Sequence, residues 1–580
     1  MKDTPLSSGY RGYVITFSTD PQRAEHQMHA VIFYLVTFGY IDGDFDAQEK
    51  SFVKEIIHQL IQHRATDAMP DAAKEVRDDV IKKYTHHFHE VFEGIDQNVK
   101  DLFTESVSEG EDPKAFVHLK LKVRCFEIFK MFDHAGQEQL MALIDHLLLA
   151  DGVAHPAEVQ FRGELAHLLE EDLGIDVVED DGDTARSVVV DSPRDSLPST
   201  IDHPFFKPFE FHFSADPETI TRQVGADLAL IDRALAVLAE QRKKGAGRLT
   251  GKKNVAELAG TEPFLDGHTY VRMPKPGEKF ELIVLGDLHG CYSILKATVL
   301  QSKFFEKVDA YRKDPTKPYP LLVLLGDYID RGLFSINGVL RTAMQLFVTA
   351  PDHVIMLRGN HEYYVEVNGT MYGGVKPAEA INTLKPLLPI DVFRHYKNLF
   401  EEMPNTFLFD RFFFVHGGIP RDRIVKERWK DLSSLNDPDI RFQMMWSDPS
   451  TADVIPADLQ DQAARFAFGR MQFRAFMQRV GSHTMVRGHE KVLTGFVPSY
   501  DDDEHARLFT LFSAGGANNA DLPAESTYRE VSPMALTISG EGGGGSGGVH
   551  MSPWAPDWAS YNDPERNAFF KVAPEIPQRK

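Results

Sequence analysis

The stretch ELIVLGDLHG, residues 281–290, decides the fold class of this chain. The apolar run from Leu282 to Leu285 has the length and composition of a strand buried on both faces, and Gly286 ends it directly before Asp287 and His289. Side chains just past the ends of such strands converge in a cleft. The stretch therefore predicts an α/β domain that delivers polar side chains to one edge of its sheet.

Four later stretches repeat this arrangement, in which an apolar run is followed by Asp, Asn or His with a glycine beside it. They are YPLLVLLGDYIDRG at 319–332, HVIMLRGNHE at 353–362, RFFFVHGG at 411–418 and SHTMVRGHE at 482–490. Five strand ends are thus expected to bring carboxylate, amide and imidazole groups to one place.

These residue types are typical of a site for two divalent metal ions. Hard and borderline divalent ions bind carboxylate oxygen, amide oxygen and imidazole nitrogen, and they need no thiolate. The six candidate ligands are Asp287, His289, Asp327, Asn360, His416 and His489. Any one of them alone would be read as a cap or a turn residue, but five such strand ends together favour a metal site.

The motifs GDLHG at 286–290, GDYIDRG at 326–332, GNHE at 359–362, HGG at 416–418 and RGH at 487–489 resemble the phosphoprotein phosphatase family. They occur in that family's order over about residues 280–515, and GDLHGCY is similar to its bacterial and phage branch. The resemblance implies a mixed α/β (α+β) fold, a calcineurin-like metallophosphoesterase β-sandwich flanked by helices, with a dinuclear site at its edge.

The resemblance also implies a role for each matching residue. Asp287, His289 and Asp327 would hold the first ion, and Asp327, Asn360, His416 and His489 the second, so that Asp327 bridges them. Manganese is expected, with iron or zinc as alternatives.

Around these ligands the resemblance implies catalytic side chains as well. His361 matches the general acid, Asp330 the carboxylate that orients it and Arg331 an arginine that grips phosphate. For a second phosphate-binding arginine the sequence offers Arg465 or Arg470, and we favour Arg465. The chemistry agrees: a serine alkoxide leaves poorly and needs a proton from an imidazole, and a guanidinium fork matches phosphate oxygens.

We therefore expect hydrolysis of phosphoserine and phosphothreonine by in-line attack of a metal-bridging hydroxide. The segment LFSAGGANNA at 511–520 lacks the tyrosine and cysteine of many eukaryotic relatives, so we expect a more open cleft that also accepts phosphotyrosine. The alternatives are a diadenosine tetraphosphatase or another small-phosphoester hydrolase, and a catalytically silent binding scaffold. Glu362 after His361 favours a protein phosphatase, because the nucleotide-hydrolysing branch resembles GNHD there.

Outside this domain the chain reads as several segments. Residues 1–170 form an all-helical accessory unit, 171–200 an acidic linker, 201–280 a bridging helix with short strands, and 281–540 the catalytic domain. Two similar helix ends, FGYIDGDFDAQE at 38–49 and LLLADGVAHPAE at 147–158, resemble TerB-like helical domains. We expect their acidic residues to cap helices, with a divalent-cation site as the alternative.

Near the end, residues 542–548 read GGGGSGG and precede Met551. Such a run behaves as a flexible coil, so we interpret 541–550 as an engineered linker and 551–580 as a fused peptide from a partner protein; a native glycine-rich linker is the alternative. Four aromatic residues are its candidate docking anchors: Trp554, Trp558, Phe569 and Phe570.

Composition argues against several other classes of protein. The 580 residues carry a formal net charge of −23, which argues against a nucleic-acid binder because phosphate backbones attract clustered Lys and Arg. Two cysteines are too few for a disulfide framework, and no stretch approaches the roughly 20 apolar residues of a membrane span. The start of the chain lacks a signal-peptide pattern, so we expect a cytoplasmic protein that binds phosphoprotein substrate and neither nucleic acid nor membrane.

Overall fold

The structure is a computed structural model. It describes residues 15, 17, 18, 20–41, 45, 47–103, 105, 107, 108, 110–147, 160–165, 168, 188–195, 202–501, 505–543 and 548–577. The chain divides into two compact units: residues 1–105 with 111–174, and residues 106–110 with 175–580.

The first unit is helical, as its apolar periodicity predicts. Its helices are α1 (Pro21–Gly39), α2 (Ala47–Ala68), α3 (Lys74–Leu102), α4 (Pro113–Lys130) and α5 (His134–Leu147), and residues 160–165 are also helical. Asp20 and Asp112 cap α1 and α4, each just before a proline whose missing N–H costs nothing at the first helical position. The core is rich in aromatic pairs such as Tyr34 against Phe129, with ring centroids 4.9 Å apart.

The TerB-like resemblance of this unit stays a prediction. Most of the acidic residues on which it rests, Asp42, Asp44, Asp46, Asp151 and Glu158, lie outside the described residues.

The second unit contains all the described strands. They are β1 (Val107–Ser108), β2 (Val188–Val190), β3 (Arg194–Asp195), β4 (Phe264–Asp266), β5 (Thr269–Arg272), β6 (Lys279–Leu285), β7 (Tyr319–Leu324), β8 (Val354–Met356), β9 (Tyr364–Val367), β10 (Thr370–Gly373), β11 (Val375–Lys376), β12 (Thr406–Phe409), β13 (Phe412–Val415), β14 (Asp448–Pro449), β15 (Ala467–Phe468), β16 (Thr484–Arg487), β17 (Phe496–Pro498), β18 (Arg507–Leu511), β19 (Ala535–Glu541) and β20 (Val549–Ala555).

Two large sheets form the sandwich. One has the order β17-β18-β16-β13-β12-β5-β4, and the other has the order β2-β20-β19-β6-β7-β8, with β3 also paired to β20. Strands β6, β7 and β8 run parallel, as do β13, β16 and β18. Apolar side chains of both sheets share one core, in which Phe280 of β6 meets Phe409 of β12 edge to face at 4.9 Å.

Helices of the same unit accompany the sheets. They are α6 (Pro217–Gly245), α7 (Tyr292–Gln301), α8 (Phe304–Lys313), α9 (Arg341–Thr349), α10 (Glu379–Leu384), α11 (Ile390–Glu402), α12 (Asp422–Arg428), α13 (Pro438–Met444), α14 (Ala457–Gln460) and α15 (Arg470–Val480). No helix among the described segments combines the length and the apolar character that crossing a membrane requires.

The end of the chain differs from the predicted segmentation. Strand β20 begins at Val549 and pairs antiparallel with β19, so the predicted boundary at 551 falls inside a strand. Residues 188–195, predicted as linker, form β2 and β3, which pair with β20 in parallel. Backbone pairing explains both differences, because β20 lies between strands on either side and each of its neighbours gains a hydrogen-bonding partner.

Candidate active site

The six predicted metal ligands lie together, each shortly after a strand. Strands β6, β7, β8, β13 and β16 end just before the ligand-bearing turns, and all six ligand residues are at most 7% exposed. They are Asp287, His289, Asp327, Asn360, His416 and His489. The structure therefore brings these six residues together, as the sequence predicts.

The turns after these strands require unusual backbone. His289, Asp327 and His489 all have positive φ, at 40°, 54° and 71°, a region that non-glycine residues rarely occupy. A Cβ on Gly359 would lie 2.1 Å from Asp327 Oδ1, and one on Gly488 would lie 2.3 Å from Asp287 Oδ1. The motif glycines thus let neighbouring backbone approach the carboxylates closely.

The first group of ligands surrounds one oxygen of Asp327. His289 Nε2 lies 3.4 Å from Asp327 Oδ2 and 3.8 Å from Asp287 Oδ2. The other ring nitrogen, Nδ1, donates to the carbonyl oxygen of Ile329 at 2.9 Å. This hydrogen bond fixes the tautomer, so the lone pair of Nε2 faces the two carboxylates, as in metal-binding histidines.

The second group surrounds the other oxygen of Asp327. His416 Nδ1 donates to the carbonyl oxygen of Leu325 at 3.1 Å, which leaves the lone pair of its Nε2 facing Asp327 Oδ1 at 3.3 Å and Asn360 Oδ1 at 2.9 Å. His489 Nδ1 lies 3.0 Å from the same Asn360 oxygen. Asp327 therefore presents one carboxylate oxygen to each group.

These residues fit divalent cations on their own chemistry. Asp287 Oδ2 and His489 Nε2 are buried and have no hydrogen-bond partner, and such atoms are costly unless something else binds them. The lone pairs of His289 Nε2 and His416 Nε2 face the carboxylate oxygens of Asp327. This arrangement is repulsive by itself, and a cation between the nitrogen and the oxygen makes it attractive. Burial raises the pKa of Asp287 and of Asp327 to about 7, and a cation would favour their ionised forms.

His361 is held by Asp330 beside this group. Its Nδ1 lies 2.7 Å from Asp330 Oδ2, while Asp330 Oδ1 accepts the backbone N–H of Ala380 at 2.8 Å. Burial, with the charge of Arg331, lowers the pKa of His361 well below 6.5, and burial raises the pKa of Asp330 to about 6. His361 Nε2 lies 4.0 Å from Asp327 Oδ2, so by position it is suited to donate a proton or to bind metal.

Both favoured arginines are at the site, and acidic residues hold them there. Arg331 binds both oxygens of Glu379 at 2.8 Å. Arg465 Nε donates to Asp448 Oδ2 at 2.7 Å, and Asp448 Oδ1 lies 3.9 Å from His489 Nε2, so Arg465 lies close to the candidate ligands. The alternative, Arg470, lies over the ring of Tyr500 at 5.5 Å.

Two further residues, Tyr528 and Glu362, shape the site. Tyr528, in the connection between β18 and β19, lies with its ring centroid 5.4 Å from that of His289. Burial raises the pKa of its hydroxyl group above the usual value, and the charge of Arg331 opposes that shift only in part. Glu362 accepts the backbone N–H groups of Asp327 and Tyr328 at 2.8 and 2.9 Å, so it fixes the turn. Its place in GNHE was a signal for this role, whereas Tyr528 had none.

Part of the chain is similar to known proteins. Residues 280–493 match the calcineurin-like phosphoesterase family. A probable serine/threonine-protein phosphatase of Encephalitozoon cuniculi is 24% identical over 259 residues, which cover 44% of this chain and 51% of that protein. The match thus spans about half the length of that relative.

Solved structures also show similarity. A protein serine/threonine phosphatase from Saccharomyces cerevisiae is 16% identical with a TM-score of 0.36, covering 57% of this chain and 90% of that one. A cold-active protein-tyrosine phosphatase of a Shewanella species is 16% identical with a TM-score of 0.28, covering 47% of this chain and 80% of that one. From the family match and the convergent ligands we conclude that residues 280–493 are a calcineurin-like phosphoesterase domain.

Proposed function

We propose that the chain is a dinuclear-metal-dependent protein phosphatase that hydrolyses phosphoserine and phosphothreonine, and also phosphotyrosine. One observation carries the dinuclear assignment. His289 and His416 each donate Nδ1–H to a backbone carbonyl and present Nε2 to opposite oxygens of Asp327. Two ligand groups that share one carboxylate are suited to two ions.

The family uses divalent metal ions, and we propose that this chain binds two manganese ions. The first would be held by Asp287, His289 and Asp327, the second by Asp327, Asn360, His416 and His489. When bound, such ions activate water and neutralise charge on phosphate oxygens.

Side chains of the chain itself would do the rest. Arg331 and Arg465 would bind the phosphate oxygens, since a guanidinium presents several N–H donors in a plane. His361 would donate a proton to the departing serine or threonine oxygen, with Asp330 fixing the ring. The negative charge of a bound phosphate would raise the pKa of His361, which burial lowers in the structure.

Two features of the sequence favour a protein substrate. Glu362 favours the protein phosphatase branch, and the net charge of −23 favours docking surfaces over long-range attraction of small anions. Parallel assays with a phosphoserine peptide and with diadenosine tetraphosphate, both with manganese supplied, test the proposal. Preference for the dinucleotide would replace it with the alternative hydrolase, and hydrolysis of neither would favour the binding scaffold.

We also propose that residues 548–577 represent a docking motif that binds by strand addition. Support comes from β20, which pairs with β19 from Ala535↔Trp554 to Ser539↔His550, and from the burial of Trp554 and Phe569. A chain ending at residue 541 should bind the separate peptide 548–580 saturably. If that shortened chain folds but does not bind the peptide, or cannot fold without it, the segment is not a docking motif.

Finally, we propose a cytoplasmic location. Cys125 and Cys291 are both free and buried, which is usual in reducing compartments. Fractionation of the source cells tests this.

A further inference from the structure

A second cluster of metal-binding side chains lies in the helical unit. Glu25 and His29 are four residues apart on α1, so they lie on one face of that helix. His87 approaches them from α3, which packs against α1. One ligand atom from each residue lies within 4.8 Å of the other two.

The distances suit a small tetrahedral ion. Zinc binds histidine nitrogen and carboxylate oxygen at about 2.0–2.2 Å, which places neighbouring ligand atoms roughly 3.3–3.6 Å apart. His87 Nε2 already lies 3.5 Å from Glu25 Oε1. The Glu25 and His87 side chains are 53% and 46% exposed, so both can rotate to close the remaining distance to His29.

His29 distinguishes this cluster from an ordinary surface ion pair. Its Nε2 is buried and has no hydrogen-bond partner, although Glu25 and His87 are its neighbours. Its ring packs edge to face on Phe88, with centroids 5.8 Å apart. A simple pair between Glu25 and His87 would leave that nitrogen unexplained, whereas a shared ion gives it a partner.

We propose that Glu25, His29 and His87 bind a zinc ion, with water completing its coordination. Two imidazoles and one carboxylate are a usual set of three protein ligands for zinc. The ion would fasten α1 to α3 and stabilise the folded helical unit in proportion to free zinc. No residue of this site lies in the phosphoesterase domain, so the proposal does not depend on the proposed phosphatase activity.

The test counts zinc in the full-length protein. The His87→Ala and Glu25→Gln variants should each bind one zinc per chain fewer than the wild type at micromolar free zinc, measured after gel filtration by elemental mass spectrometry. The difference in zinc content between the wild type and each variant cancels any zinc bound by the phosphoesterase domain, which is the same in both. His86→Ala is the matched control, because His86 is exposed next to His87 and faces Glu90 at 3.6 Å.

Location and stability give independent readouts. Anomalous scattering at the zinc edge should show an ion between α1 and α3, and zinc should raise the unfolding temperature of the wild type more than that of His87→Ala. Equal zinc content in wild type and His87→Ala, or absence of the anomalous peak in crystals grown with zinc, would overturn the proposal.

Discussion

Replacing His361 separates its two possible roles most directly. The ring is fixed by Asp330 at 2.7 Å, and its Nε2 lies 4.0 Å from the Asp327 oxygen that His289 also faces. As a proton donor, His361 matters only during reaction. As a ligand, it would matter for metal retention as well.

The expected size of the effect follows from these contacts. Loss of a general acid lowers the rate by about 10²- to 10⁴-fold, or roughly 2.7–5.4 kcal/mol, so His361→Ala should reduce kcat by that amount. In Asp330→Asn, a single oxygen replaces the two that accept separately from His361 and from the N–H of Ala380, so one of these hydrogen bonds is lost. Losing one charge-assisted hydrogen bond costs about 1.5–3 kcal/mol, which is roughly 10- to 150-fold in kcat.

The assay compares two substrates and measures metal. With a phosphoserine peptide, whose leaving alkoxide needs a proton, kcat should fall by the full amount. With an aryl phosphate, whose leaving group is weakly basic, the fall should be much smaller. Metal content should stay at the wild-type level in both variants. If metal is lost in parallel with activity, or if both substrates are affected equally, His361 is not the proton donor.

Three further predictions concern other parts of the chain. Arg465→Ala should lower kcat/KM for a phosphopeptide by roughly 10- to 150-fold, the value of one charge-assisted contact, whereas Arg470→Ala should change it little; equal effects would contradict the assignment. Phe569→Ala removes a ring that stacks on Phe334 at 4.5 Å, so urea unfolding should show a loss of about 3–5 kcal/mol, against less than about 0.5 for the exposed Val572→Ala; no difference between them would mean that the segment is not packed. Burial opposes ionisation of Asp96, but hydrogen bonds from Lys100, Tyr40 and Lys50 lower its pKa below 3.8, so its stabilising effect is present above about pH 4 and is lost as the pH falls through the folded-state pKa. Asp96→Asn should therefore destabilise the protein at pH 7 and converge with the wild type in acid, and a constant difference in unfolding free energy would refute this.

The candidate site could be predicted from the sequence because its candidate ligands follow local patterns. An apolar run and a glycine within a few residues of Asp287 or His416 are enough to place each at a strand end. The same local pattern predicts a helix within the bridging segment 201–280, and the structure has it as α6, Pro217–Gly245.

What sequence reasoning missed depends on distant contacts. Tyr528 reaches His289 from a connection with no motif, and Glu379 meets Arg331 across 48 residues. Strand β2 pairs with β20 across some 360 residues, Val188 with Val549, and no short-range pattern encodes such a partner. Local composition alone therefore predicts a linker at residues 188–195.

The position of β6 has a consequence for synthesis of the chain. Its neighbours are β7, made soon after it, and β19, which follows about 250 residues later. At roughly 5–20 residues per second, the ribosome needs about 12–50 s to deliver β19. Throughout that time one edge of an apolar strand, Leu282 to Leu285, offers unpaired N–H and C=O groups to any other nascent chain. Soluble yield should thus depend on translation speed and on chaperones that cover this edge until the last strands arrive.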